Sequence, residues 1–350
     1  MRTKAVLKVL ATVLVSAVLM ELTVRVSGYS DRYVYDPVYC RSDWPQEIPY
    51  VHRAGLRDAL AQGNTRFSTD ALGLRSTEPG ARPGAKVAGE YRVAVLGDSV
   101  TFGQGVATPD TFCAALDRHL AARRPDLKVR VFNFGVCGYS VKEMAATLRR
   151  RASDVQPDLV VLAIIFSDFE LGRCGRVDRW GYLHNWKVTS YDQPDALRYL
   201  ILRKFHLTYW VRDLAYRLGV AGREQGARAA AAEGELPVGG TIPRSYSFIT
   251  AMAETARLNG WSFLMVTLPS IQSDGSEFDV LRAQFAREGL DQLDFSRLTT
   301  QYGIKEYRVS RYDGHPGGLV HHRIGTELAG HIESRFLPPA ADPLPGTAQR

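Results

Sequence analysis

Cysteine is scarce. Four residues, Cys40, Cys113, Cys137 and Cys174, stand far apart in a chain of 350, and no two form a C-x-x-C pair. Zinc ribbons and thioredoxin-like redox sites need that spacing and are excluded. Two disulfides in an exported domain and unpaired buried thiols fit the count equally well. A compact basic run is also missing: 44 Lys and Arg stand against 37 Asp and Glu, spread along the chain. Without a dense basic stripe or a recognisable module, nucleic acid is not an expected partner. There is no G-x-S-x-G elbow, which argues against an α/β-hydrolase. No P-loop or dinucleotide fingerprint occurs, which argues against nucleotide chemistry. What is present is an ordinary globular composition, 45% hydrophobic and 23% charged. That excludes disorder, collagen and coiled coil, and the length suffices for a sizeable core.

The N-terminus departs from the rest. Arg2, Lys4 and Lys8 precede an uncharged run from Val9 to Met20, extended to Val26 if Glu21 and Arg25 lie near an interface. A basic start followed by such a run is an export signal or a signal anchor. A spanning helix wants about 20 apolar residues. No clean A-x-A cleavage site follows, so residues 1–28 are read as an uncleaved anchor. The positive-inside rule then leaves the basic end in the cytoplasm and places the remainder outside it, periplasmic or extracellular.

Residues 29–88 are aromatic, then rich in Pro and Gly, without clear periodicity, and are read as an irregular extension and linker. An alternating pattern follows. Strands are expected at 92–96, 129–132, 158–165 and 261–268, and helices at 110–123, 141–155, 247–258, 278–288 and 319–336. The run 158–165 is almost wholly apolar, as in a strand covered on both faces. Such alternation implies an α/β three-layer sandwich with a central parallel sheet, residues 89–338, whose ligands bind beyond the carboxyl ends of the strands. An insert at 170–243 interrupts it. Within the insert, 196–220 is basic and amphipathic, which fits a lid, a face lying on an anionic membrane, or a helix packed on the core. Residues 223–240 read as a flexible connector, and 339–350 as a tail.

Polar motifs stand where the apolar strands stop. After the first strand comes Gly97-Asp98-Ser99-Val100-Thr101-Phe102-Gly103. A serine in a tight turn between glycines can expose its hydroxyl, and its own N–H can face an oxyanion. After the second strand comes Asn133-Phe134-Gly135-Val136-Cys137-Gly138-Tyr139-Ser140, where a glycine allows close backbone approach to a reacting carbonyl. Phe166-Ser167-Asp168 ends the third strand, and Asp313-Gly314-His315-Pro316 precedes the last helix. Read alone, each block is as easily a turn or a surface loop; their joint placement is what carries weight. His321 and His322 fall on the expected terminal helix and make no metal cluster with His315. Asp98 and Asp168, as a carboxylate pair, would suit glycoside hydrolysis, but with Ser99 and His315 at hand they are read as site-shaping.

Together these blocks resemble the SGNH/GDSL hydrolase family, matching it as Gly-Asp-Ser-x-Thr-x-Gly, Asn-x-Gly-x-x-Gly and Asp-x-His-Pro. The stretches 66–75 and 20–25 look like a membrane-anchored bacterial branch. The resemblance implies the flavodoxin-like SGNH fold, with Ser99 as nucleophile, His315 as general base and Asp313 completing the triad. It implies an oxyanion hole from the N–H groups of Ser99 and Gly138, with Ser167 as a third contributor, Asn133 shaping the site and no metal or other cofactor. One position departs. The family usually has Asn before the Asp of block three, where its amide donates to the oxyanion; here that position is Ser167. A hydroxyl is shorter and donates once, and losing an oxyanion donor costs about 10²–10³ in rate. The function implied is a serine esterase acting on carboxylic esters, acetyl esters among them, with a small acyl ester or acylated carbohydrate as substrate. An O-acyltransferase acting on cell-surface polysaccharide and a non-catalytic envelope binding protein are the alternatives.

Overall fold

A computed structural model describes residues 2–31, 33–184, 204–217, 240–271 and 273–339. The connector expected at 223–240 falls almost wholly outside the described residues, as do most of the tail and part of the 196–220 stretch.

The chain opens with α1 (Arg2–Val26). It is long and apolar enough to cross a membrane over Thr3–Val26, with residues 3–20 exposed and Val24 buried near its end. Five short strands follow: β1 (Tyr39–Arg41), β2 (Tyr50–His52), β3 (Ala59–Ala61), β4 (Thr65–Thr69) and β5 (Arg75–Ser76). The regular part comprises β6 (Glu90–Leu96), α2 (Ser99–Phe102), α3 (Phe112–Arg123), β7 (Lys128–Asn133), α4 (Val141–Arg151) and β8 (Leu159–Ile164). The insert contributes β9 (Arg176–Val177), β10 (Leu183–His184) and α5 (Leu207–Arg217). Then come α6 (Tyr246–Leu258), β11 (Ser262–Thr267), α7 (Asp279–Arg287), β12 (Asp291–Asp294), the hairpin β13 (Arg308–Ser310) and β14 (Asp313–Pro316), and α8 (Gly318–Arg335).

The main sheet has eight strands in the order β12-β11-β8-β6-β7-β5-β4-β3. The first five of these are mutually parallel. Every residue of β6 and β8 is buried, as a parallel strand covered on both faces requires. Alternate side chains feed two cores. Ala94, Leu96, Val160 and Leu162 meet Met144, Leu148, Ile249 and Met252 on one face. Val93, Val95, Val161 and Val266 meet Phe112, Leu116, Ile324 and Leu328 on the other. Gly325 lets α8 lie against α3, since a Cβ there would stand 2.5 Å from that of Ala115.

The central sheet is parallel as expected, and β5 extends it by pairing antiparallel with β7 and carrying β4 and β3 beyond it. Two expectations need correction. The segment 29–88 is no irregular extension: β3, β4 and β5 finish the sheet, β1 and β2 form a separate antiparallel pair, and Ile48, Tyr50 and Phe67 enter the core. Strands of two to five residues are too short to show a period of two. The third helix of the chain also starts later than expected. A 3₁₀ turn occupies Thr108–Asp110, and Thr111 caps α3 by accepting from the Ala114 N–H. All four cysteines are free thiols.

Candidate active site

The carboxyl end of β6 runs straight into α2 through Gly97, where a Cβ would lie 2.6 Å from the Ala163 carbonyl oxygen. Only glycine fits there. Asp98 caps α2 by accepting from the Val100 N–H at 2.9 Å. Gly103 ends the helix at φ 85°, a left-handed conformation that costs glycine little. This short turn presents Ser99, whose Oγ stands 2.8 Å from His315 Nε2. The β13–β14 hairpin carries the histidine. Its Nδ1 lies 2.5 Å from Asp313 Oδ1, and the same oxygen accepts the His315 backbone N–H at 3.1 Å. With a carboxylate facing Nδ1, that nitrogen carries the proton and Nε2 is free to accept one from Ser99.

Burial disfavours a charge on His315, but the hydrogen bond and charge of Asp313 outweigh it and hold the imidazole above its ordinary 6.5. Burial likewise opposes the Asp313 carboxylate, yet its bonds to His315 keep it below the usual aspartate value. The pair is poised to stabilise an imidazolium. By contrast His321, buried on α8 with its Nδ1 accepting from the Phe112 N–H, is pushed down to about 3. It is a neutral core residue. Among the described residues no group of three or more His, Cys, Asp or Glu could hold a metal.

Block two lies alongside. Asn133 Nδ2 donates to the Thr101 carbonyl at 2.8 Å, and its Oδ1 accepts from the Gly135 N–H at 2.9 Å. It thereby ties the block-two turn to α2. Gly138 sits at φ 83°, and the preceding Cys137 carbonyl accepts from the Tyr50 hydroxyl at 2.8 Å. Ser140 and Glu143 then form the capping box of α4.

Block three forms a 3₁₀ turn, Phe166–Phe169. Asp168 is fully buried and accepts the Ile165 N–H at 2.9 Å. Burial, then the neighbouring charge of Asp98, drive its carboxyl well above the normal range, with Arg173 opposing both. Arg173 was not anticipated. Its Nη1 donates to Ser167 Oγ at 2.6 Å, while Nη2 donates to Asp98 Oδ2 at 2.9 Å and lies 3.0 Å from Asp168 Oδ1.

Arg75 is a second arginine of the site. Buried beneath the site, it donates to the carbonyls of Phe102 and Gly103 at 2.8 Å each and of Val106 at 2.6 Å. Burial lowers its pKa to about 10. It clamps the turn that follows Ser99. Nothing in the local sequence marks Arg173, which sits in a loop without pattern. Arg75 lay inside the 66–75 stretch that resembles the family, and that was its only signal.

Comparison with known proteins adds the following. No protein-family model matches the chain, and no curated protein matches it. Similar solved structures include a lipase/acylhydrolase from Enterococcus faecalis, at 13% identity over 72% of this chain and 100% of the other, with a TM-score of 0.42. Another is a catalytic mutant of an acetylxylan esterase from Geobacillus stearothermophilus, at 15% identity over 71% and 95%, TM-score 0.41. A third, assigned to the lipolytic G-D-S-L family, comes from Desulfitobacterium hafniense DCB-2, at 13% identity over 68% and 98%, TM-score 0.39.

Proposed function

We propose that this chain is a serine esterase of the SGNH/GDSL type, held at a membrane by α1 with its catalytic domain on the extracytoplasmic side. The observation that carries the esterase reading is the hydrogen-bonded line Ser99–His315–Asp313 at the carboxyl end of a parallel sheet. Ser99 Oγ attacks the ester carbonyl carbon as its proton passes to His315 Nε2, and the carbonyl electron pair moves onto oxygen. Asp313 holds the tautomer and stabilises the imidazolium. Collapse expels the alcohol, which takes the proton back from His315 and leaves an acyl-serine. Water, deprotonated by the same imidazole, releases the carboxylic acid. The backbone N–H groups of Ser99 and Gly138 are the oxyanion donors in this reading.

Fluorophosphonate labelling of the full chain in detergent tests it. Wild type is expected to label stoichiometrically, with Ser99→Ala and His315→Ala silent; a folded wild-type protein that stays unlabelled refutes the reading. The base must be neutral, and Asp313 raises its pKa, so the labelling rate should climb with pH through a midpoint above 6.5 and then level off. A midpoint at or below 6.5 would contradict the Asp313–His315 coupling. Acyl transfer to a sugar hydroxyl in place of water would show as acceptor-dependent product with little background hydrolysis.

A further inference from the structure

Resting on the serine-esterase reading, we propose that Arg173 positions Ser167 as a third oxyanion donor, in the place where an amide would otherwise stand. A serine hydroxyl has one proton and two acceptor lone pairs, whereas a guanidinium only donates. Arg173 Nη1 donates to Ser167 Oγ at 2.6 Å, so a lone pair is spent on the arginine and the hydroxyl proton must point elsewhere. Ser167 is only half-buried and lies at the carboxyl end of β8, beside β6 and its nucleophile turn. The cation also polarises the O–H bond, which makes a charge-assisted chain a stronger donor than a free serine.

The second half of the arginine explains why it stays there. Nη2 lies within 3.0 Å of Asp98 Oδ2 and Asp168 Oδ1, two carboxylates with no solvent exposure. Asp98 precedes the nucleophile and Asp168 follows Ser167, so one planar fork ties block one to block three. Its charge is taken up by Asp98, with the buried carboxyl of Asp168 beside it, which leaves it as a rigid support with no call to capture anions itself. Preorganisation of this kind is what lets a donor act on charge that develops only during reaction. Arg173 is thus a positioning residue, and Ser167 is the group that would meet the oxyanion.

Saturation kinetics of fluorophosphonate labelling separate binding from reaction and need no natural substrate. Ser167→Ala leaves the Arg173–aspartate contacts in place and should lower kinact about 10²-fold with KI unchanged. Arg173→Lys keeps a positive charge beside both carboxylates, but one nitrogen cannot replace two separated ones. It should lose a similar factor, and the double variant should be no slower than either single. Ser167→Asn placed in the Arg173→Lys background should recover at least tenfold, because an amide donates without the fork. Thermal unfolding of each variant reports on folding. Wild-type kinact in Ser167→Ala, multiplicative losses in the double variant, or no recovery with Asn would each overturn the proposal. Loss confined to Arg173→Lys would do so too, by assigning the donor to the guanidinium itself. If wild type fails to label at all, the esterase reading falls and this inference with it. If wild type labels and Ser167→Ala labels as fast, only the inference falls.

Discussion

Residues 29–88 and the α5 region of the insert both lack a clean alternation with the rest of the chain, yet they are held by different means. The first is built into the sheet. It places Ile48, Tyr50 and Phe67 in the core and sends Arg75 to the carbonyls of the turn after Ser99. The second meets α1 and the residues just after it through polar contacts. Glu21 accepts from the backbone N–H groups of His206 at 2.9 Å and Leu207 at 2.7 Å, satisfying the open start of α5. Arg25 donates to the Lys204 carbonyl at 2.8 Å, and the Tyr29 and Tyr33 hydroxyls donate to Asp213 at 2.6 Å each. Phe205, Trp210, Val211 and Leu214 remain exposed. Apolar burial such as that of Ile48, Tyr50 and Phe67 is worth several kcal/mol at a site, whereas the α5 region is held by a few part-buried hydrogen bonds, each worth about 1 kcal/mol net, and by the stacking of Tyr33 on Tyr209. The extension should therefore be part of the cooperative unit that holds the active site, and α5 should open separately from it.

Arg75→Met attacks the comparison where the effect should be largest. It strips three buried carbonyls of their donor, and each orphaned group costs about 1 kcal/mol or more, so stability should fall by about 3 kcal/mol. Thermal unfolding measures the loss, and the Ser99 labelling rate should drop with it; an unchanged unfolding temperature would mean that the extension is not structurally joined to the site. Tyr50→Phe is milder. It removes one buried hydrogen bond to the Cys137 carbonyl and should cost about 1–2 kcal/mol. Labelling at low temperature should slow modestly because the turn bearing Gly138 loosens, and full-rate labelling would show that this turn holds itself. The smallest effect belongs to Glu21→Gln. Losing a carboxylate at the start of α5 is worth about 0.5–1 kcal/mol locally. Amide exchange at His206 and Leu207 should quicken while global unfolding stays put; a matching drop in global stability would merge the two regions into one unit.

Much of the fold could be read in advance because β6, β8 and β11 are apolar runs bounded by helices of clear periodicity. The motif-bearing turns fall at strand ends for the same reason, since a polar residue ends a buried strand. Ser99, Asp313 and His315 were visible as residue types in motifs. Their 2.8 Å and 2.5 Å spacing was not, because 216 positions separate the serine from the histidine. Ser167 is legible as the residue in the family's amide position and as a third oxyanion donor. That a guanidinium six positions later meets its oxygen depends on how the loop after β8 folds back over Asp98.

Local periodicity and residue chemistry at strand ends suffice to specify the parallel core, the apolar N-terminal helix and the residue types of the candidate site. Long-range contacts alone settle that β3, β4 and β5 complete the sheet, that Arg75 clamps the turn after Ser99 and that Arg173 bridges Asp98, Asp168 and Ser167. Each of those depends on burial and on contacts between distant segments, and a short strand or a single arginine carries no local pattern that announces which distant oxygen it will meet.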